Sequence, residues 1–154
     1  MNYEYVFDLV ILIYYDFGVL SPNDRNILLG KIYSALKKGG ILILDVLNQS
    51  YRNSFEEKQS IQYEAGGFWS PEPYVVIQKN KFYEETNNTL EQYLVITEKN
   101  CDCYSIWNQL YSKETFIKEI EKSGLKLIDI FDDVCGKTFT GHGEGICGVF
   151  KKAE

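Results

Sequence analysis

From Phe7 to Ile13 the chain is apolar apart from Asp8 and rich in β-branched residues, the pattern of a parallel strand buried on both faces. A loop leads to a helix. Ser21 is placed to cap it, Pro22 suits the first helical position because its absent N–H has no partner to lose, and Asp24 lies at the positive dipole end. Ile27, Leu28, Ile32, Ala35 and Leu36 recur at helical spacing, Lys37-Lys38 stand where the dipole favours cations, and Gly39-Gly40 supply a left-handed stop. Ile41 to Val46 reads as a second buried strand, so residues 1–47 predict a right-handed βαβ crossover.

Residues Asn48 to Lys58 predict a short helix, weakly amphipathic through Tyr51 and Phe55. Over residues 59–111 the period changes to two, punctuated by Gly66-Gly67, Ser70-Pro71, Asn87-Asn88 and Asn100, the pattern of antiparallel strands and hairpins. Asn87-Asn88 is the best two-residue turn, because Asn tolerates positive φ. Helical spacing resumes at residue 112. Ser112 caps, Phe116, Ile117 and Ile120 face inward, and Ser123-Gly124 ends the helix. Leu125 to Phe131 and Gly145 to Phe150 then form a terminal β-hairpin across the loop Asp132 to Glu144. The whole of 1–154 reads as one α/β domain.

The segment FDLVIL, the loop YYDFGVL, a helix ending LKKGG and the strand ILILDV resemble the fourth strand, following helix and fifth strand of class I S-adenosylmethionine-dependent methyltransferases. YSKETFIKEIEKSGLKLIDIFDD resembles the helix and strand that precede the same family's closing hairpin. The resemblance implies a partial doubly wound, Rossmann-like sheet, an antiparallel β-rich insertion covering the active site, and a last strand inserted antiparallel. It also implies S-adenosylmethionine as cofactor of the complete enzyme and a small-molecule methyl acceptor. In that family the glycine-rich cofactor loop and the ribose-binding acid lie upstream of the matched segment. The chain therefore resembles the C-terminal portion of such an enzyme, without three βα units of roughly 30 residues each, and is expected to bind the cofactor weakly or not at all by itself. A non-catalytic binding or assembly module derived from the same fold is the second function class.

Composition narrows this further. With 45% hydrophobic and 25% charged residues, the chain reads as an ordinary soluble globule. The apolar run at Phe7 to Ile13 is too short to span a bilayer, and no basic signal flank precedes it, so no membrane partner and a cytoplasmic location are expected. A net charge of −6 with no Lys/Arg cluster argues against nucleic acid, since phosphate neutralisation needs a basic face.

Ligands of doubly wound sheets bind outside the C-terminal ends of the strands, which makes Tyr14, Tyr15 and Asp16 the best-placed residues. In similar methyltransferases this loop runs along the methionine end of the cofactor and faces the acceptor. Asp16, Tyr15 and His142 are the candidates for a base. Phe17, Trp69, Trp107 and Tyr111 are candidates to line an acceptor pocket, as pockets are mainly apolar, with core packing the alternative for each. Tyr104 and Trp107 differ by an odd number, so a regular strand sends them to opposite faces. GHGEG at Gly141 to Gly145 matches a glycine fingerprint without its strand–helix context and is expected to be a flexible hairpin loop. Cys101, Cys103, Cys135 and Cys147 lack zinc spacing and read as buried, reduced thiols. In the family topology the fourth strand lies beside a first strand not found here, so Phe7 to Ile13 would expose an apolar edge, and self-association or a missing N-terminal segment is expected.

Overall fold

The computed structural model describes residues 3–153. The chain divides into two compact units, one formed by residues up to Asn53 together with those from Gln109 onward, the other by Ser54–Asn108. The β-rich piece is thus wider at its start, and narrower at its end, than the 59–111 of the period-two texture. Leu110 and Tyr111 are fully buried in the first unit, where the Tyr111 N–H donates to Leu47 O at 2.9 Å.

In the first unit β1 (Phe7–Leu12) runs parallel to β2 (Leu36–Leu47), with Leu9 opposite Ile41 and Leu12 opposite Leu44. A parallel pair needs a crossover connection. Here it is the single turn α1 (Asp16–Val19) followed by α2 (Pro22–Ala35). Ser21 caps α2 as expected, its hydroxyl accepting from the Asp24 N–H. The helix ends at Ala35, before the lysines, because the chain is already extended at Leu36 to enter the sheet. Lys37 therefore pairs with Asp8 across β1 and β2 at 2.8 Å rather than serving the helix dipole. Of the two glycines, only Gly39 adopts positive φ. The buried stripe of α2 is Arg25, Leu29, Ile32 and Ala35, while Ile27 stays 48% exposed. The C-terminal carbonyls of α2 are capped from a distance in sequence: the buried Lys152 Nζ donates to Tyr33 O and Leu36 O, against the rings of Tyr5 and Tyr33. A cation at that end opposes the negative pole of the helix.

The sheet order is β1-β2-β8-β7. β8 (Gly145–Lys152) lies between β2 and β7 (Leu125–Phe131), antiparallel to both. Before β7 comes α3 (Lys113–Glu121), opened by a reciprocal capping box between Ser112 and Thr115. Phe17, Phe116, Phe150, Leu42, Leu44, Val46 and Ile146 fill the core; Ile117 is only half-buried. β1 departs from the expected two-sided burial. It is an edge strand that pairs only with β2 among the described residues, and Phe7, Leu9 and Ile11 remain exposed. An apolar strand is buried only where something packs against it, and nothing described here lies beyond β1. Beside it runs an apolar groove of about 350 Å³ whose walls include Phe7, Ile11, Leu28 and Ile32.

After β2 the chain forms a 3-10 turn at Gln49–Asn53 in place of the longer helix expected. In the second unit β3 (Gln59–Glu64), β4 (Tyr74–Tyr83), β5 (Asn88–Thr97) and β6 (Cys101–Gln109) make an antiparallel sheet in chain order. The β4–β5 turn is longer than two residues, since Tyr83 pairs with Asn88 and Asn87 alone takes positive φ. One face of this sheet packs Tyr74, Val76 and Val95 under Trp69 and Tyr93.

Candidate active site

Tyr14 and Tyr15 leave β1 in the left-handed region, at φ 75° and 63°. For bulky side chains this conformation is uncommon and costs of order 1–3 kcal/mol per residue. What holds it is Asp45, near the end of β2. Its carboxylate accepts from the Tyr15 N–H at 2.8 Å and the Tyr14 N–H at 3.3 Å. Bonds from an amide to a charged group contribute roughly 1.5–3 kcal/mol, enough to offset the strain. Asp45 is 6% exposed. Burial pushes its acid above the ordinary carboxylate range, the two tyrosine amides oppose that, and neighbouring Asp16 adds to it.

The turn aims three side chains differently. Tyr14 stands 85% exposed, Asp16 is exposed at the start of α1, and Phe17 is fully buried. Tyr15 folds back over β8, where a Cβ on Gly145 would lie 2.9 Å from its Oη, so only glycine leaves room for the ring. Burial raises the Tyr15 phenol, and Asp45, Glu144 and Asp133 raise it further, which makes it a hydrogen-bond donor rather than a base near neutrality. Across the sheet Cys147 faces Asp45 in register. Its thiol is pushed up to about 11 by burial and the nearby carboxylates, which keeps it protonated near neutrality.

The loop between β7 and β8 is pinned on this same border of the sheet. Asn48, buried at the end of β2, donates from its N–H to Glu144 O and from Nδ2 to Gly141 O and Gly143 O. Ser50 Oγ donates to Gly143 O as well. Asp132 accepts from the Thr140 hydroxyl at 2.6 Å, the Thr140 N–H at 3.0 Å and the Gly141 N–H at 3.3 Å. The Thr140 hydroxyl leads the causes that hold the Asp132 carboxyl below its usual range. The loop is therefore tethered, in contrast to the flexible hairpin loop expected from GHGEG, and the chain's own carboxylate occupies the Gly141 amide. His142 is exposed, with its N–H on Thr140 Oγ1.

The structure thus brings Tyr14, Tyr15 and Asp16 to one strand end and sets the His142 loop on the segment leading into Gly145. Phe17 and Tyr111, expected to line an acceptor pocket, are fully buried in the core, their rings 6.4 Å apart. Both side chains belong to the hydrophobic core of the first unit. Trp69 stacks on Tyr104 at 4.9 Å and packs on Tyr93. Trp107 packs on Tyr83 and keeps 43% exposure. Tyr93 and Tyr83 lie on opposite faces by register, so Tyr104 and Trp107 do as well, as their spacing requires. Cys101, Cys103 and Cys135 are free and exposed, contrary to the buried thiols expected, and only Cys147 is buried; the first two sit on an edge strand. No group of three or more metal-ligating side chains occurs among the described residues, and no described helix is long and apolar enough to cross a membrane.

Asp45, Asn48 and Asp132 are absent from the candidates read from the sequence. A signal for Asp45 existed, as the lone charge in the apolar run Ile41 to Leu47. Nothing in the sequence foretells left-handed tyrosines.

No protein-family model and no curated protein matches the chain. Solved structures do. A S-adenosylmethionine-dependent methyltransferase from Clostridium acetobutylicum ATCC 824 superposes with a TM-score of 0.70 at 15% identity, covering 100% of this chain and 61% of its own. The CcbJ methyltransferase from Streptomyces caelestis gives 0.69 at 13% identity, with 98% and 59% covered. An amino pentose methyltransferase from Micromonospora echinaspora, solved with S-adenosylmethionine bound, gives 0.55 at 13% identity, with 99% and 61% covered. At such identities the likeness establishes the fold: this chain has the mixed α/β fold of S-adenosylmethionine-dependent methyltransferases and spans about 60% of the length of the structures it matches.

Proposed function

We propose that the chain is the C-terminal part of an S-adenosylmethionine-dependent methyltransferase, cytoplasmic and acting on a small molecule. The observation that carries this reading is the sheet order β1-β2-β8-β7, with β8 reversed, on a chain that superposes over its whole length on longer methyltransferases. The Tyr14–Asp16 turn lies outside the C-terminal end of β1, where open α/β sheets hold ligands. It would take the amino-acid end of the cofactor, with Tyr14 and Asp16 presented outward. The remaining requirement, a glycine turn between a strand and a helix, is not met by Gly141–Gly145, which lies between antiparallel strands and serves Asp132. The residues described here therefore fit one end of the cofactor only.

Methyl transfer gains chiefly from holding donor and acceptor in line, with a base where the acceptor carries a proton. Asp16, exposed and beside the strained turn, is the best-placed group for that role. Calorimetry with S-adenosylhomocysteine tests the division of labour. The chain alone should bind more weakly than micromolar, and micromolar affinity would overturn it. In a complete enzyme Asp16→Asn should lower turnover or acceptor affinity at an unchanged melting temperature; unaltered kinetics would remove Asp16 from the site. The second reading, a non-catalytic assembly module, rests on the open edge of β1, where further chain or a second copy can add a strand. Cofactor-independent assembly without methyl transfer by any complete form would favour it.

A further inference from the structure

Asp45 occupies a position where an apolar residue would pack better. It is buried in β2 and no lysine, arginine or histidine pairs with it among the described residues. The charged group that acts on it is Asp16 of the strand-end turn; Tyr15 of that turn and Cys147 of β8 feel Asp45 in turn, and of the loop between β7 and β8 Asp133 acts on both of these and Glu144 on Tyr15. None of them brings positive charge. A buried carboxylate beside another acid is unfavourable unless its oxygens are satisfied, and each oxygen accepts from one of the consecutive N–H groups of Tyr14 and Tyr15, with Asp45's own amide adding to them. Those two residues are in turn left-handed, a conformation without local support from a tyrosine side chain.

We propose that Asp45 is the positioning residue of the strand-end turn: its carboxylate latches both amides, keeps Tyr14 and Tyr15 left-handed, and so sets the direction in which Tyr14 and Asp16 leave the sheet. That this direction serves a cofactor rests on the methyltransferase reading; the latch itself does not. Asp45 acts through the backbone it holds.

The test uses the 15N-labelled 154-residue chain. On acidification the Tyr14 and Tyr15 amide protons should shift with one common midpoint, above the ordinary carboxylate range. Tyr15 should move further, since its bond is 2.8 Å against 3.3 Å. In Asp45→Asn the common midpoint should vanish, because an amide does not titrate; its NH₂ meets one of the two N–H donors, so backbone couplings should report loss of positive φ in at least one tyrosine. Wild-type amides that do not titrate overturn the latch, and that measurement needs no variant to fold. A midpoint that persists in Asp45→Asn belongs to Asp16, Asp133 or Glu144 and also overturns it. Adding S-adenosylhomocysteine separates the two readings. If it leaves the Tyr14–Asp16 resonances unmoved in a complete enzyme that binds it, the cofactor assignment of the turn fails, while the amide titration of the chain still decides the latch.

Discussion

Arg25 Nε donates to Glu119 Oε1 over 2.6 Å, joining α2 to α3 through a cation whose side chain is 6% exposed. Its Nη1 also donates to Leu20 O, and the guanidinium lies over the rings of Phe17 and Tyr111. The second oxygen of Glu119 accepts from Tyr111 Oη at 3.0 Å. Burial and Glu119 together push the Tyr111 phenol well above its ordinary value, so it remains a donor. One arginine thus ties the α1–α2 junction to α3, and holds Phe17 in the core while Asp16 beside it stays outside.

Removing either partner should not be equivalent. Glu119→Gln strands a buried guanidinium, and breaking a buried pair costs about 3–5 kcal/mol; the value should fall at the lower end because Glu119 keeps 24% exposure. Arg25→Met leaves a partly exposed carboxylate still bonded to Tyr111 and should cost less. Urea denaturation of both variants and their combination measures this, and Glu119→Gln within about 0.5 kcal/mol of wild type would show that the pair contributes nothing.

Asp132→Asn should loosen the loop from Thr140 to Glu144. Loss of charge-assisted bonds to Thr140 and Gly141 predicts a stability loss of roughly 1–3 kcal/mol at neutral pH. The sign follows from the lowered acid. Its contribution is present above the unfolded carboxylate pKa and lost as pH falls through the folded value. The gap between wild type and variant should therefore close on acidification, as followed by thermal melts across pH; a pH-independent gap would assign the effect to packing.

Gly148→Ala and Gly145→Ala should separate core from turn. A Cβ on Gly148 would collide with the rings of Phe150 and Phe116, both fully buried, and overpacking a filled core costs typically 1–3 kcal/mol. The atoms nearest a Cβ on Gly145 all belong to the Tyr15 side chain, from 2.9 Å. That ring is half-buried and can swing outward, so Gly145→Ala should change Tyr15 resonances with a smaller loss of stability. Equal losses would mean that Tyr15 is as immobile as the core phenylalanines.

The open edge of β1 should drive association. Ile11 is 55% exposed on a strand with a free edge and a flanking apolar groove, and a lysine there blunts edge pairing. Sedimentation velocity should show self-association of the chain that Ile11→Lys abolishes, at a stability within about 0.5 kcal/mol of wild type. A wild-type chain that sediments as a monomer at micromolar concentration would refute this.

Much of the fold is legible before any coordinates. Ser21-Pro22 and Ser112 declare helix starts, because capping is a matter of two or three neighbouring residues. The change of apolar period after Lys58 marks the antiparallel sheet, since side-chain alternation is a property of the strand alone. The placement of Tyr14-Tyr15-Asp16 at a strand end follows from the same local patterns.

Other features depend on what the chain meets after folding. α2 stops before Lys37 because the sheet claims Leu36, a competition no local propensity expresses. Phe17 and Tyr111 look like pocket aromatics in sequence and become core, because Arg25 and Glu119, 94 positions apart, close over them. Period and composition by themselves determine the type and order of most elements, each set by nearest neighbours along the chain, but not the exposed face of β1 or of Ile27. Only the tertiary structure decides that Asp45 holds two left-handed tyrosines and that Asp132 occupies the Gly141 amide, because each pairs groups on separate segments whose approach depends on the register of a whole sheet.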